Sequence, residues 1–120
     1  MAERERLICK SAALAERGFG VRFPLPALGE FETGFVVRYN GSVYGYVNQC
    51  AHVQVPLDWQ EGDFFDLTRH HLIGATHGAQ YQPETGYCVL GPCKGFSLQK
   101  LDVVERDGNI YLIENSIKES

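Results

Sequence analysis

The sequence predicts an all-β domain, an antiparallel β-sandwich or small barrel of roughly eight to ten short strands. The pairs Asn40-Gly41 and Asp107-Gly108 each lie between β-prone runs, and such pairs supply the positive φ that a type I′ hairpin turn needs. The 13 glycines are scattered along the chain, which is typical of a protein rich in turns. Only residues 11–17 resemble a helix, and Gly18 follows this short run at once.

Short apolar or alternating runs, each bounded by turn residues, predict the strands in chain order. These runs cover residues 21–25, 35–39, 42–47, 71–76, 80–82, 87–90, 98–105 and 109–113. Pro83-Glu84-Thr85-Gly86 predicts a tight turn before the run at 87–90. No repeat, linker or low-complexity stretch interrupts the chain, so we expect one domain over residues 1–120.

Composition excludes several classes of protein. Apolar residues make up 44% and charged residues 22% of the 120 residues, as in an ordinary soluble domain. The net charge of −4 disfavours nucleic acid as a partner, because binding a phosphate backbone needs a basic face. No apolar run approaches the ~20 residues of a membrane helix, and the charged start MAERERLICK lacks a secretory signal. We therefore expect a cytoplasmic protein with no membrane partner.

Two segments carry residues that bind metals. The first contains Cys50 and His52, and the second contains His77. Cysteine offers a soft thiolate and histidine a neutral nitrogen, which together suit zinc or iron. In a reducing cytosol, cysteines more often serve metals or redox chemistry than structural disulfides.

The order and spacing of these residues resemble the Rieske ferredoxins. That family is identified by C-x-H in one loop and C-x-x-H-G in a second, which hold a [2Fe–2S] cluster through two thiolates and two imidazoles. Cys50 and His52 match the first motif, and His77-Gly78 match the end of the second. The resemblance therefore implies a Rieske-like sandwich with two cluster-binding loops at one end and with Cys50, His52 and His77 as metal ligands.

The resemblance continues after the second histidine. Tyr81 matches the family's aromatic position, where its hydroxyl could bond to the Cys50 sulfur or the ring could simply fill the core. Gly91 and Pro92 match the loop that packs over the cluster, and Cys93 follows in the same loop. These four residues are the candidate cofactor-binding positions outside the ligand set.

One ligand of the family is missing. The second cysteine of the motif lies three residues before the second histidine, and that position is Gly74. Glycine has no side chain and cannot be a ligand, so a [2Fe–2S] cluster would keep only one of its two thiolates.

Four explanations fit this glycine. In the first, a cluster is held by a substitute ligand, for which Cys93 is best placed, Cys88 is less so, and Cys9 cannot be placed. Cys88 and Cys93 could equally pair with each other or pack as small apolar residues. In the second, Cys50, His52 and His77 hold a single zinc or iron ion with a water molecule. In the third, the cluster is lost and the fold serves as an interaction or regulatory module. In the fourth, Gly74 is a one-residue variant of an otherwise normal ferredoxin.

The resemblance also implies a function. Ala79 stands where high-potential members place a serine that bonds to the cluster, and fewer such bonds mean a lower potential. The chain therefore resembles the low-potential ferredoxins, which pass electrons to an oxygenase or reductase partner. On this interpretation it is an electron carrier rather than a stand-alone catalyst.

Overall fold

The computed structural model describes residues 5–49, 57–58, 60–74, 79–91 and 95–114. Within these residues the chain forms ten short strands and one 3-10 turn, residues Ser11–Ala13. The strands are β1 (Glu5–Lys10), β2 (Val21–Pro24), β3 (Thr33–Tyr39), β4 (Ser42–Val47), β5 (Leu72–Ile73), β6 (Gln80–Tyr81), β7 (Cys88–Leu90), β8 (Lys100–Leu101), β9 (Val103–Arg106) and β10 (Asn109–Ile113).

The strands form three small antiparallel sheets, which confirms the predicted all-β class. The first sheet has the order β1-β10-β9, the second β2-β3-β4-β8, and the third β5-β6-β7. The third sheet carries the two strands that flank residues 75–78, and the second sheet ends at the start of the segment with Cys50 and His52. Strands of the second and third sheets thus lead into both segments.

Both predicted hairpins are present. The β3–β4 turn has Asn40 at φ 52° and Gly41 at φ 83°, and the β9–β10 turn has Asp107 at φ 53° and Gly108 at φ 78°. These pairs of positive φ angles are those of type I′ turns, whose twist matches that of the flanking strands. The strands at Ser42–Val47 and Asn109–Ile113 have the bounds that the sequence predicts.

The strand predicted at 71–76 covers only Leu72–Ile73 of its described residues, and β3 begins earlier than predicted, at Thr33. Three further elements differ in number or kind. Strand β1 was not predicted; it forms because its backbone pairs with β10. The run at 98–105 divides at Asp102, because β8 pairs with β4 in one sheet and β9 pairs with β10 in another. The helix expected at 11–17 reduces to the 3-10 turn Ser11–Ala13, and the half-buried Arg38 guanidinium binds the Ser11 and Leu14 carbonyls beside it.

The core consists of two clusters of buried side chains. One contains Phe35, stacked on Phe64 with ring centroids 3.9 Å apart, and extends to the third sheet. The other lies between the first and second sheets and includes Val36, Leu101, Ile110 and Leu112. No helix in the described part of the chain is long and apolar enough to cross a membrane.

Candidate metal centre

The predicted site residues fall on both sides of the boundary of the described structure. Gly74, Tyr81 and Gly91 are described, whereas Cys50, His52, His77, Pro92 and Cys93 lie outside the described residues. The structure therefore reports on the framework of the site, namely the ends of the segments that carry the candidate ligands.

The segment with Cys50 and His52 begins after Asn48, at the end of β4, and ends at Leu57. The Leu57 N–H donates to Asn48 Oδ1 over 2.9 Å, so the two ends of the segment lie side by side. Asn48 Nδ2 donates to Asp58 Oδ1 over 3.1 Å. Asn48 is 2% exposed and Asp58 7%, which makes them the two buried polar side chains of the described core.

The segment with His77 is closed at its base by the backbone. Gly74 follows β5 and Ala79 precedes β6, and the Gly74 N–H donates to the Ala79 carbonyl over 2.8 Å. Both residues are buried. The two described residues that flank positions 75–78 are therefore hydrogen-bonded to each other.

Gly74 has room for a side chain. Among the described residues, a Cβ atom placed on its backbone would meet nothing closer than the Ala79 carbonyl oxygen, at 3.9 Å. Its φ angle lies outside the left-handed region that favours glycine. Neither packing nor backbone conformation thus requires glycine at the position where the family places a ligand.

Gly91, by contrast, is required by its surroundings. Its φ is 101°, and a Cβ atom here would come within 2.9 Å of the Ala79 Cα. The start of the Gly91-Pro92 loop therefore packs directly on the end of the His77 segment. This contact agrees with a loop that covers the second ligand segment.

The ends of the ligand segments share one packed cluster. Leu57, Ala79 and Tyr81 are fully buried members of it, as are Leu72 and Cys88. Tyr81 is thus fully buried, and its predicted bond to the Cys50 sulfur involves a residue outside the described part of the chain. Tyr46 joins the same cluster and donates its hydroxyl to the Pro83 carbonyl over 2.7 Å, which anchors the Pro83–Gly86 turn.

The described cysteines are poor candidates for the missing ligand. Cys9 is a free thiol on β1, packed against the second core cluster rather than the first. Burial raises the pKa of this thiol, which disfavours the thiolate form that binds metals. Cys88, on β7, is disulfide-bonded, and its partner lies outside the described residues. The predicted pairing of Cys88 with Cys93 stays a prediction.

Among the described residues, no three His, Cys, Asp or Glu side chains lie close enough together to hold a metal ion. What these residues define is a small antiparallel β scaffold that brings the bases of two loops to one packed cluster. Gly91, where a third segment begins, packs on Ala79 at the end of the second.

Residues 7–115 match the family model of the Rieske [2Fe-2S] domain, and the chain belongs to this family. A comparison with curated proteins finds no match.

Solved structures share the fold. The ferredoxin of carbazole 1,9a-dioxygenase from Nocardioides aromaticivorans IC177 is 22% identical with a TM-score of 0.70, and the match covers 90% of this chain and 95% of that one. The Sphingomonas yanoikuyae B1 ferredoxin is 20% identical with a TM-score of 0.69, covering 92% and 98%. The terminal oxygenase of the Nocardioides system is 18% identical with a TM-score of 0.76, covering 98% of this chain and 32% of that one.

The donor set of this chain falls short of the family's cluster. Gly74 supplies no donor atom, and the described cysteines offer no free thiol in the core cluster that the segment ends share. The backbone, in contrast, fits the missing ligand, since Gly74 accepts a Cβ without a clash. At the position of the family's second cysteine the chain thus has a residue with no donor atom and, among the described residues, space for a Cβ.

The spacing from His77 identifies Gly74 in the sequence, whereas the roles of Asn48 and Asp58 emerge only from the structure. The two residues are ten positions apart and belong to no motif. The available signal was an asparagine at the end of a predicted strand, directly before a ligand segment, where a buried amide can close the segment that follows.

Proposed function

We propose that this chain is a Rieske-type electron-transfer protein whose cluster site is altered at position 74. Family membership supports the electron-transfer class, because a Rieske domain is built to hold a [2Fe–2S] cluster. The observation that carries the proposal is the open, unstrained backbone position at Gly74. Cys50, His52 and His77 are the proposed ligands, and Tyr81, Gly91, Pro92 and Cys93 are the proposed surroundings.

The proposed partner is a redox protein, an oxygenase or reductase component. Support comes from a solved complex of reduced oxygenase and oxidised ferredoxin in carbazole 1,9a-dioxygenase, whose matched chain is 18% identical with a TM-score of 0.74. That match covers 94% of this chain and 95% of the other. We propose that this chain works in the cytoplasm beside such a partner.

One observation favours a second candidate, a cluster-free interaction module on the same fold. Gly74 cannot bind iron, and Cys88 is held in a disulfide rather than available as a substitute thiolate. If the remaining ligands hold only a single ion, the chain is instead a mononuclear zinc or iron protein.

The first experiment compares the native chain with Gly74→Cys. Both are purified without oxygen and incubated with ferric iron and sulfide, and visible absorption is measured with iron and zinc content. We expect Gly74→Cys to become brown with about two irons per chain, because a thiolate then completes the ligand set. The native chain should bind less iron or lose it faster.

Gly74→Ala is the matched control, since it fills the same space without a donor atom. It should behave as the native chain does. A colourless Gly74→Cys protein would overturn the ligand assignment and favour the cluster-free module. A native chain with two irons would indicate a substitute ligand, and one with a single zinc would indicate the mononuclear site.

A further inference from the structure

A buried polar network lies at the base of the segment that carries Cys50 and His52. Asn48 uses both N–H groups of its side-chain amide, one to Asp58 Oδ1 over 3.1 Å and one to Thr33 Oγ1 over 3.3 Å. Its oxygen accepts from the Leu57 N–H over 2.9 Å. Each polar group of the amide thus has a partner, as burial demands.

The carboxylate of Asp58 is fully enclosed yet paired. Its side chain is 0% exposed, and the Arg22 guanidinium lies 3.4 Å from Oδ2. The Gly62 N–H also donates to Oδ2, over 3.0 Å. A buried carboxylate is costly unless such partners surround it. The members of the network therefore depend on each other, because the loss of one side chain leaves a buried polar group of another without its hydrogen-bond partner.

The network connects the segment to the rest of the fold. Arg22 lies on β2. Gly62 is attached just before this strand, because the Gly20 N–H donates to the Gly62 carbonyl over 2.8 Å. Thr33 begins β3. Asn48 and Asp58 thus attach both ends of the 49–57 segment to two neighbouring strands of the second sheet.

We propose that Asn48 and Asp58 form a clasp, a pair of positioning residues that closes the base of the 49–57 segment and so fixes the placement of Cys50 and His52. This inference rests on the proposed function for its purpose, although the clasp itself is a feature of the described residues. A closed base restricts the segment before any metal binds, which lowers the entropy lost on ligation.

The test uses Asp58→Asn, Asn48→Asp and the double exchange of the two residues. Asp58→Asn removes one acceptor, and Asn48→Asp sets two carboxylates against each other. The double exchange again faces one amide with one carboxylate and keeps the net charge. Amide hydrogen exchange is measured at Leu57 and Gly62, with Leu98 as the reference amide of the core.

We expect exchange at Leu57 and Gly62 to be roughly 10- to 100-fold faster in Asp58→Asn, because hydrogen bonds to a buried charge are lost. The Leu98 amide should keep its rate, and the double exchange should recover most of the protection. Asp102→Asn, at an exposed carboxylate between β8 and β9, should leave the exchange rates of the Leu57 and Gly62 amides unchanged. Equal acceleration at all three amides would reduce the clasp to a general stabilising contact and overturn the proposal.

The positioning role has its own measurement, made in the Gly74→Cys background after incubation with ferric iron and sulfide. Iron release to a chelator should be on the order of 10- to 100-fold faster when Asp58→Asn is added, as when the supports of metal ligands are removed. The double exchange should restore slow release. Unchanged release alongside fast local exchange would overturn positioning. If Gly74→Cys with an intact clasp binds no cluster, the proposed function fails, while amide exchange still decides the clasp.

Discussion

At the scale of single residues, Gly74 and Cys88 determine what the candidate centre can hold. Gly74 supplies no donor, yet a Cβ on its backbone would lie 3.9 Å from the nearest described atom, the Ala79 carbonyl oxygen, which is an ordinary van der Waals contact. Cys88 is buried in the same cluster as the segment ends, but its sulfur is committed to a disulfide. Neither of these two residues therefore offers a free thiolate.

The disulfide of Cys88 determines how many reactive thiols we expect per chain. The chain has four cysteines; Cys88 and its partner form one disulfide, and Cys9 is free. Titration with a thiol reagent in guanidinium and a chelator, without reductant, should therefore detect two thiols per chain (four minus the bonded two). Mass spectrometry of the unreduced digest identifies the partner.

Cys88→Ser is the control for this count. The substitution frees the partner thiol, so three thiols should react in place of two (four minus the replaced Cys88). Four reactive thiols in the unreduced native chain would contradict the disulfide and return Cys88 to the set of candidate ligands.

At the scale of elements, tight turns and closed loop bases set the geometry. The β3–β4 hairpin depends on Gly41, whose φ of 83° is in the left-handed region, although nothing lies within 4 Å of a Cβ there. Gly74 also has space for a Cβ, but it lacks that φ constraint. These two glycines thus separate the effect of backbone conformation from the effect of packing.

We expect Gly41→Ala to lower the free energy of unfolding by about 1–2 kcal/mol, the cost of a left-handed conformation for a residue with a Cβ. Gly74→Ala should leave it unchanged or raise it by about 0.4–1 kcal/mol, because alanine restricts the unfolded chain. Urea unfolding followed by circular dichroism measures both. Equal losses in the two variants would show that the Gly74 backbone is strained after all.

The strands themselves show where sequence reasoning succeeds and where it stops. The Asn40-Gly41 and Asp107-Gly108 turns were predictable because their chemistry is local. Strand β1 was not, because its residues are mostly exposed or half-exposed and its pairing partner lies at the other end of the chain. The division at Asp102 also depends on distant strands, since the Ile113 N–H bonds to the Asp102 carbonyl where the chain changes sheets.

The candidate site divides in the same way. Spacing was enough to find the empty position at Gly74, because the family motif is contiguous in sequence. The clasp of Asn48 and Asp58 depends on burial and on partners from β2 and β3, such as Arg22. No local pattern carries that information, so only the folded chain reveals it.

At the scale of the whole molecule, ionisable groups limit the pH range of stability. Burial raises the pKa of Tyr46 above its ordinary value. Because the pKa of Tyr46 is higher in the folded chain than in the unfolded chain, its contribution to the free energy of unfolding is complete below the unfolded pKa, about 10. Above that pH the free energy of unfolding falls, because only the unfolded chain then releases the proton. Burial raises the pKa of Cys9 as well, so its thiol acts in the same direction from about pH 8.5.

Acid should weaken the fold for the opposite reason. The hydrogen bond from Arg38 lowers the pKa of Glu105, and this pair joins β3 to β9 with an N–O distance of 2.7 Å. A lowered pKa adds to the free energy of unfolding at pH values above the pKa of the unfolded glutamate, about 4.3. This contribution is lost as the pH falls through the pKa of the folded chain.

Urea midpoints measured from pH 3 to pH 11 test both limbs of this profile. Tyr46→Phe removes the bond to the Pro83 carbonyl and should cost about 1–3 kcal/mol at neutral pH, since a buried acceptor loses its partner. The variant should also lose less stability than the native chain above pH 10. Parallel alkaline limbs in the two proteins would mean that Tyr46 does not contribute to the loss.

The first described strand and the last are neighbours in the same sheet, with Glu5 opposite Ile113. Residues paired across antiparallel strands lie only about 5 Å apart, so the path of the backbone enters and leaves this fold at nearly one point. A host protein could therefore accept the whole fold as an insertion in a surface loop without having its own ends pulled apart. The same proximity would let a short linker join Ile113 to Glu5. New termini at the Asn40-Gly41 turn would then give a circularly permuted chain with the same three sheets.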